Sequence, residues 1–279
     1  MIERALFPLA AALLSTAILA QDLPQPSPKG EVEQVIGLTK VEVGYSRPAV
    51  RGRAIFGGLL PYGKLWRTGA NAATTVEFSG PVSINGSKLE AGKYSLFTIP
   101  EKGAWTVIFN KNTSASEGDY KESDDALRVK ADPKESEFTE SMTIGFDEVK
   151  DDMARMDIRW ERTRVSVTIS APATEQALAN IKEALAKPDA KFNAYNGAAR
   201  FCVDRGLMPK EALAWAQKSV SMEEKYWNTH TLALVQAANG LKKEAIATAQ
   251  KSMALAEKEG NTAFVDLNKA KIAEWSQGK

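Results

Sequence analysis

Five cations stand in a stretch that contains no acid. Arg47, Arg51, Arg53, Lys64 and Arg67 all fall between Glu42 and Glu77, and no Asp or Glu separates those two glutamates. The chain as a whole is balanced, with 36 Lys and Arg against 35 Asp and Glu, so its overall charge selects no class of partner. Guanidinium forks match carboxylate, sulfate or phosphate geometry. In the same stretch Tyr62 and Trp66 could add stacking faces and Asn71 an amide. Gly52, Gly57, Gly58, Gly63 and Gly69 mark it as a loop, and a long loop on a rigid scaffold is a usual place for function. The expected ligand site is therefore Arg47, Arg51, Arg53, Tyr62, Lys64, Trp66, Arg67 and Asn71, centred on Arg67 and Asn71. The opposing expectation is that these arginines pair with carboxylates elsewhere and merely brace the loop.

Other chemistries are narrowed by scarcity. There is one histidine, His230, and one cysteine, Cys202. Any Ser-His-Asp triad or Cys-His dyad would have to use His230, and multi-histidine or cysteine-pair metal sites are excluded. His230 lies between Trp227 and Leu234 at helical spacing, and Cys202 shares an apolar face with Phe192, Tyr195 and Ala199, so both read as packed core groups. Two acidic clusters, Glu117 to Asp125 and Asp147 to Asp152, lack EF-hand spacing and read as solvated turns. Gly58 to Lys64 superficially resembles the start of a phosphate-binding loop. Leu65 then stands where Ser or Thr is needed, and Pro61 removes a backbone donor, so nucleotide binding is rejected. Neither a metal nor a cofactor is expected.

The elements that must position the loop follow from periodicity. From 34 to 171 the period is two: Val41, Val43 and Tyr45; Trp105, Val107 and Phe109; Met156, Ile158 and Trp160; Val165, Val167 and Ile169. Tyr94 to Ile99 is apolar on both faces, which predicts a strand covered on both sides. Asn85-Gly86 after Val82-Ser-Ile84 favours a type I′ hairpin. Such alternation predicts an antiparallel β-sandwich or barrel. Pro172 ends the pattern, and Thr174 is placed to cap a following helix. Over 174–279 the period becomes 3.6. Glu211-Ala-Leu213 recurs 33 residues later as Glu244-Ala-Ile246, Ala216 as Ala249, and Lys218-Ser219 as Lys251-Ser252. That spacing predicts a degenerate tetratricopeptide-like helical repeat, and the whole an α+β chain with segregated domains.

At the amino terminus Arg4 precedes an uncharged run, Ala5 to Ala20, ending in small residues. The run is shorter than a membrane span and reads as a cleavable secretory signal over 1–20, with Ala17 the alternative cleavage point. Residues 21–33, carrying Pro24, Pro26 and Pro28, read as an extended leader without a core.

Several of these segments together resemble the domain-of-unknown-function family 2911. They are Gln34-Val-Ile-Gly-Leu-Thr39, Tyr45-Ser-Arg-Pro48, Arg51-Gly-Arg53, Ile55-Phe-Gly57, Pro61-Tyr-Gly-Lys64, Trp66-Arg-Thr-Gly-Ala-Asn71 and Ala91-Gly-Lys-Tyr94. Trp105 to Asn110 and Phe138 to Glu140 fit as well. The resemblance spans roughly residues 30 to 170. It implies an exported bacterial protein and a boundary before the helical tail, and it carries no catalytic role.

The expected protein is thus periplasmic or secreted, with no stable membrane anchor and no nucleic-acid partner. Its β domain would bind an anionic small molecule or glycan, and its helical repeat would pack on that domain or contact a protein partner. The alternatives are a histidine-independent hydrolase using carboxylates, or a structural envelope protein with no small ligand. Amino-terminal sequencing of the protein from the envelope or medium is expected to start at or near Gln21, and intact Met1 on cytoplasmic protein would refute the export reading.

Overall fold

The structure is a computed structural model and describes residues 23–277, so the expected signal segment, residues 1–20, lies outside the described residues. The chain divides into two compact units, 1–172 and 173–279.

Among the described residues the first unit has ten strands, β1 (Lys29–Ile36), β2 (Thr39–Ser46), β3 (Thr75–Phe78), β4 (Val82–Ile84), β5 (Ser87–Leu89), β6 (Gly92–Ile99), β7 (Trp105–Asn110), β8 (Asp125–Ala131), β9 (Pro133–Lys150) and β10 (Met153–Ser170). They form two open antiparallel sheets, in the orders β1-β2-β3-β6-β7-β8 and β5-β4-β10-β9. One apolar core joins residues of both sheets, among them Val43, Phe78, Leu96 and Phe109 of the first and Ile144, Met156, Trp160 and Val167 of the second. Of the two architectures that alternation allows, the sheets are therefore not closed into a barrel. Asn85 (φ 48°) and Gly86 (φ 83°) both take the left-handed conformation, as the type I′ turn between β4 and β5 requires. Tyr94 to Thr98 of β6 are all buried. The outer face of that strand is covered because Phe97 and Ile108 pack with Ala115, Tyr120 and Leu65 in a second small cluster.

Two readings change. Residues 29–33 belong to β1, paired along its length with β2, so the leader is shorter than the prolines suggest. Even Pro28 is anchored, its carbonyl accepting from the Arg47 amide at 2.9 Å. And the two apolar runs around Ile158 and Val167 are one 18-residue strand. Even-numbered residues point inward as far as Trp160 and odd-numbered ones from Val165 onward. The switch falls where Glu161 takes φ 56° and the register with β9 shifts on both sides of it. A bulge inverts which side chains face the core, and so it reads in sequence as a break between two strands.

The second unit holds α1 (Thr174–Ala186), α2 (Phe192–Arg205), α3 (Pro209–Met222), α4 (Tyr226–Ala238), α5 (Lys242–Lys258) and α6 (Thr262–Gln277). Thr174 is the first helical residue of α1; its cap is Ala173, which offers no side-chain bond. Pro209 opens α3, where its missing N–H is harmless. The repeat is structural as well as sequential. Ala212 and Ala216 on α3, like Ala245 and Ala249 on α5, are buried where helices approach closely. Ser219 Oγ donates to the carbonyl of Phe192, the first residue of α2, at 2.9 Å and accepts from Asn228 Nδ2 at 3.0 Å. Ser252 Oγ donates to the carbonyl of Tyr226, the first residue of α4, at 2.7 Å and accepts from Asn268 Nδ2 at 2.9 Å. Each serine, the eleventh residue of its helix, thus ties that helix to the start of its hairpin partner and holds a buried asparagine. Removal of either hydroxyl strands a buried donor and acceptor. Ser219→Ala and Ser252→Ala are each expected to lower stability by about 1–3 kcal/mol, and the double variant by roughly their sum, in denaturant unfolding.

Candidate functional site

The cation-rich loop leaves β2 at Ser46 and forms no further strand until β3, though Trp66 bridges Thr98 of β6 on the way. Its first residues are sewn to β9. Tyr45 Oη accepts from the Ile144 amide at 3.0 Å and donates to the Ile144 carbonyl at 3.2 Å. Met142 donates to the Pro48 carbonyl, and Val50 to the Glu140 carbonyl, both at 2.8 Å. Arg47 Nε donates to the Met142 carbonyl at 3.0 Å, and its Nη2 to Thr143 Oγ1 at 2.7 Å. Arg51, at φ 50°, donates through Nη2 to the Pro26 carbonyl at 3.1 Å, while its amide donates to Glu140 Oε1. Arg53 folds back onto the Val50 and Ala49 carbonyls at 3.0 and 2.7 Å. These three cations therefore hold main-chain oxygens.

The expected centre, Arg67 and Asn71, is also engaged. Arg67 donates through Nε to Glu117 Oε1 at 2.8 Å and through Nη2 to Glu117 Oε2, and its amide adds a 3.1 Å bond to the same carboxylate. Nη1 takes the Asn71 carbonyl. Asn71 (φ 59°) spends its amide on the Ser27 carbonyl at 3.2 Å. Trp66 offers no stacking face: it is 5% exposed, donates through Nε1 to the Gly69 carbonyl and stacks on Trp160 at 5.7 Å. Glu117, read as part of a solvated acidic turn, comes from a loop that is itself braced. Asn110 Nδ2 bonds Asp125 Oδ1 at 2.8 Å, Tyr120 Oη donates to Asp125 Oδ2 at 2.6 Å, and Arg128 pairs with Asp125 and Glu122. At the other acidic turn Arg155 meets Asp147, Glu148 and the buried Asp157. Among the described residues no group of three His, Cys, Asp or Glu is placed to hold a metal ion.

The ends of the loop, at Ser46, Ala72 and Ala73, border one cavity with β1 and β2, and its middle residues border another. Tyr62, 37% exposed, lies over Gly57, where a Cβ would come within 2.7 Å of the ring and where φ is +84°. The turn is held against the next loop by the Gly63 amide, which donates to the Pro100 carbonyl at 2.9 Å. Between these loops lies a pocket of about 250 Å³ walled by Phe56 and Tyr62, with the buried Trp105 behind them, Phe56 and Trp105 meeting edge to face at 4.9 Å. Glu101, Lys102, Lys134, Glu135 and Arg162 also line it, and among the described residues none of the five has an ion-pair partner within 4 Å. Lys64 is exposed beside this turn but does not line the pocket. Arg162, absent from the expected site, reaches over Phe138 with its guanidinium 6.0 Å from the ring centre. The signal for it was the arginine run Arg155, Arg159, Arg162, Arg164 along one strand, which alternation alone assigns to a solvated face.

His230 and Cys202 are core groups. The His230 ring nitrogen Nδ1 meets Asn268 Oδ1 at 2.8 Å; the Asn268 amide donates to Ser252 and to the Phe264 carbonyl, so its oxygen accepts and the imidazole donates. Burial pushes the His230 pKa down and the Cys202 thiol up.

The Arg67–Glu117 brace has a pH signature. Burial pushes the Glu117 carboxyl up, but the Arg67 guanidinium and two backbone donors outweigh it and hold the pKa below its ordinary 4.5. The stabilisation is thus full above 4.5 and is lost as pH falls through the lower folded value. Arg67→Ala is expected to cost about 2 kcal/mol in the pH 7 thermal or denaturant transition, as for a charge-assisted pair, with no Arg67-dependent shift from added sulfate. Against Glu117→Gln, the wild-type advantage should narrow as pH is lowered from 7 to 3.

Residues 27–169, more than half of the chain, match the family described as "Protein of unknown function (DUF2911)". No curated protein and no solved structure matches the chain. The matched span coincides with the two-sheet unit that carries the Tyr45–Asn71 loop and the aromatic pocket, and the chain belongs to the DUF2911 family.

Proposed function

We propose that this is an exported binding protein whose β domain holds a saccharide in the pocket between the 56–63 and 100–105 loops. One observation carries the reading: an aromatic wall faces charged side chains of both signs that make no ion pairs with one another. Hydroxyl-rich rings need both parts. Their C–H faces lie on aromatic rings, and their hydroxyls take hydrogen bonds from groups not already satisfied. Lys102, Lys134 and Arg162 supply donors, and Glu101 and Glu135 supply acceptors, around one pocket. Tyr62 is the loop residue this reading keeps from the expected site, and Gly57 is needed because only glycine leaves room for its ring. The helical repeat would serve a separate role. Helices α2, α4 and α6 line a groove of about 440 Å³ with Arg200, Leu234, Lys271 and Trp275, which would accept a protein segment.

A second reading rests on Glu101 and Glu135 lining the same pocket: two carboxylates facing a bound sugar are the equipment of a glycoside hydrolase. Calorimetric titration with a panel of neutral hexasaccharides tests both. At least one is expected to bind, with Tyr62→Ala weakening it about tenfold or more, equivalent to about 1.4 kcal/mol, while melting near the wild type. Release of reducing ends from the bound sugar would assign the pocket to catalysis. Absence of any binding, or binding indifferent to Tyr62, would refute the proposal.

A further inference from the structure

The outer face of the four-stranded sheet carries a second cavity, of about 440 Å³, bounded by Glu135, Glu137, Thr139, Thr143, Arg159 and Arg164. It exists because the two strands are unequal. Arg159 lies opposite Thr143, Glu161 opposite Thr139 and Thr163 opposite Glu135, so eight steps along β9 face four along β10. The surplus makes the edge strand bulge, which bends it and opens space beside its partner. The same bulge brings Arg159 and Arg164, on either side of the parity switch, into one cavity.

These two arginines differ from every arginine of the loop. Arg47, Arg51, Arg53 and Arg67 each hold a carbonyl or a carboxylate. The side chains of Arg159 and Arg164 have no hydrogen bond and no ion pair to any described residue. Arg164 Nε is shielded from solvent and still lacks an acceptor. Burying an N–H without a partner is costly, and two cations sharing a cavity without a counter-ion add repulsion. Glu135 and Glu137 stand at the exposed rim, and neither approaches a guanidinium nitrogen within 4 Å. Thr143 is already committed, accepting from Arg47 Nη2 and donating to the Ser141 carbonyl at 2.9 Å. Thr139, whose hydroxyl makes only a 3.3 Å bond to the Glu137 carbonyl, is the neutral donor left to turn inward.

This cavity adjoins the aromatic pocket. Glu135 lines both, and Arg162, which lines the first, reaches over Phe138, which lines the second. We propose that Arg159 and Arg164 form an oxyanion subsite that takes the acidic group, a uronate carboxylate or a sulfate ester, of a saccharide seated in the aromatic pocket. The oxyanion supplies the counter-charge that both arginines lack, and acceptors for the guanidinium groups that line the cavity. The saccharide part rests on the reading given under Proposed function; the oxyanion part rests only on the cavity and its arginines.

The experiment uses the full mature chain and three kinds of probe: inorganic sulfate, a neutral oligosaccharide, and the same oligosaccharide with uronate or 6-sulfate groups. Sulfate alone is expected to raise the wild-type melting temperature, and Arg164→Gln or Arg159→Gln to abolish that rise while Arg67→Lys leaves it. The acidic oligosaccharide is expected to bind the wild type at least tenfold more tightly than the neutral one, and the Arg164→Gln or Arg159→Gln variant with no such preference. Comparing uronate with sulfate identifies which acid the pair selects. A sulfate effect unchanged in both glutamine variants, or acidic and neutral sugars bound alike by the wild type, overturns the subsite. Neutral-sugar binding that survives this leaves the aromatic pocket standing. Arginine-dependent sulfate binding without any sugar binding leaves the oxyanion site standing and removes the saccharide. The wild-type titrations need no variant, so a glutamine variant that fails to fold does not spare the proposal.

Discussion

The first unit depends on one seam, where the end of β2 and the residues after it run along the free edge of β9. Tyr45, Pro48 and Val50 exchange hydrogen bonds with Ile144, Met142 and Glu140. Strand β9 is the outer strand of the small sheet, and an uncovered edge presents unpaired donors and acceptors. A segment from the large sheet satisfies them, so the seam both protects an edge and locks the two sheets in register. Arg47 reinforces it with bonds to the Met142 carbonyl and Thr143. Because the seam fixes residues 45–50, the loop beyond starts from a rigid base, and Tyr62 can be placed over Gly57 against the 100–105 loop.

The same seam explains how a run of cations folds without an acid of its own. Positive charge need not be answered by carboxylates alone, because a carbonyl carries a lone-pair dipole that a guanidinium can use. Arg47, Arg51 and Arg53 employ that solution, and their targets include Pro26, whose carbonyl ties the leader to the loop. Only Arg67 finds a carboxylate, presented by the braced 111–124 loop. The arginines left without acceptors are on β10, on a face shaped by the bulge. Unspent hydrogen-bonding capacity therefore lies on the sheet, next to a loop that has spent its own.

The helical unit makes the opposite use of regularity. Ser219 and Ser252 occupy equivalent places and hold equivalent carbonyls and asparagines, so a conserved geometry persists where the repeat is degenerate in sequence. Small residues at Ala212, Ala216, Ala245 and Ala249 permit close helix approach, and Gly206 and Gly240, both at positive φ, end α2 and the α4 turn.

Period and composition were sufficient for much of this. Alternation identified the strands, two-sided apolarity identified β6 as a covered strand, Asn85-Gly86 the turn between β4 and β5, and the 33-residue recurrence the helical repeat, because each is a local rule of backbone geometry. The continuity of β10 was hidden, since the bulge at Glu161 inverts side-chain parity and mimics a strand break. The site was hidden for a different reason. A side chain's partner is set by neighbours far along the chain: Arg67 meets Glu117 fifty residues away, and Arg47 meets Thr143 ninety-six residues away. Residue type announced which groups could bind an anion. Only the tertiary structure decided which were already satisfied, because a guanidinium that finds a carbonyl or carboxylate in its own fold has less to offer a ligand than Arg159 and Arg164, which find none.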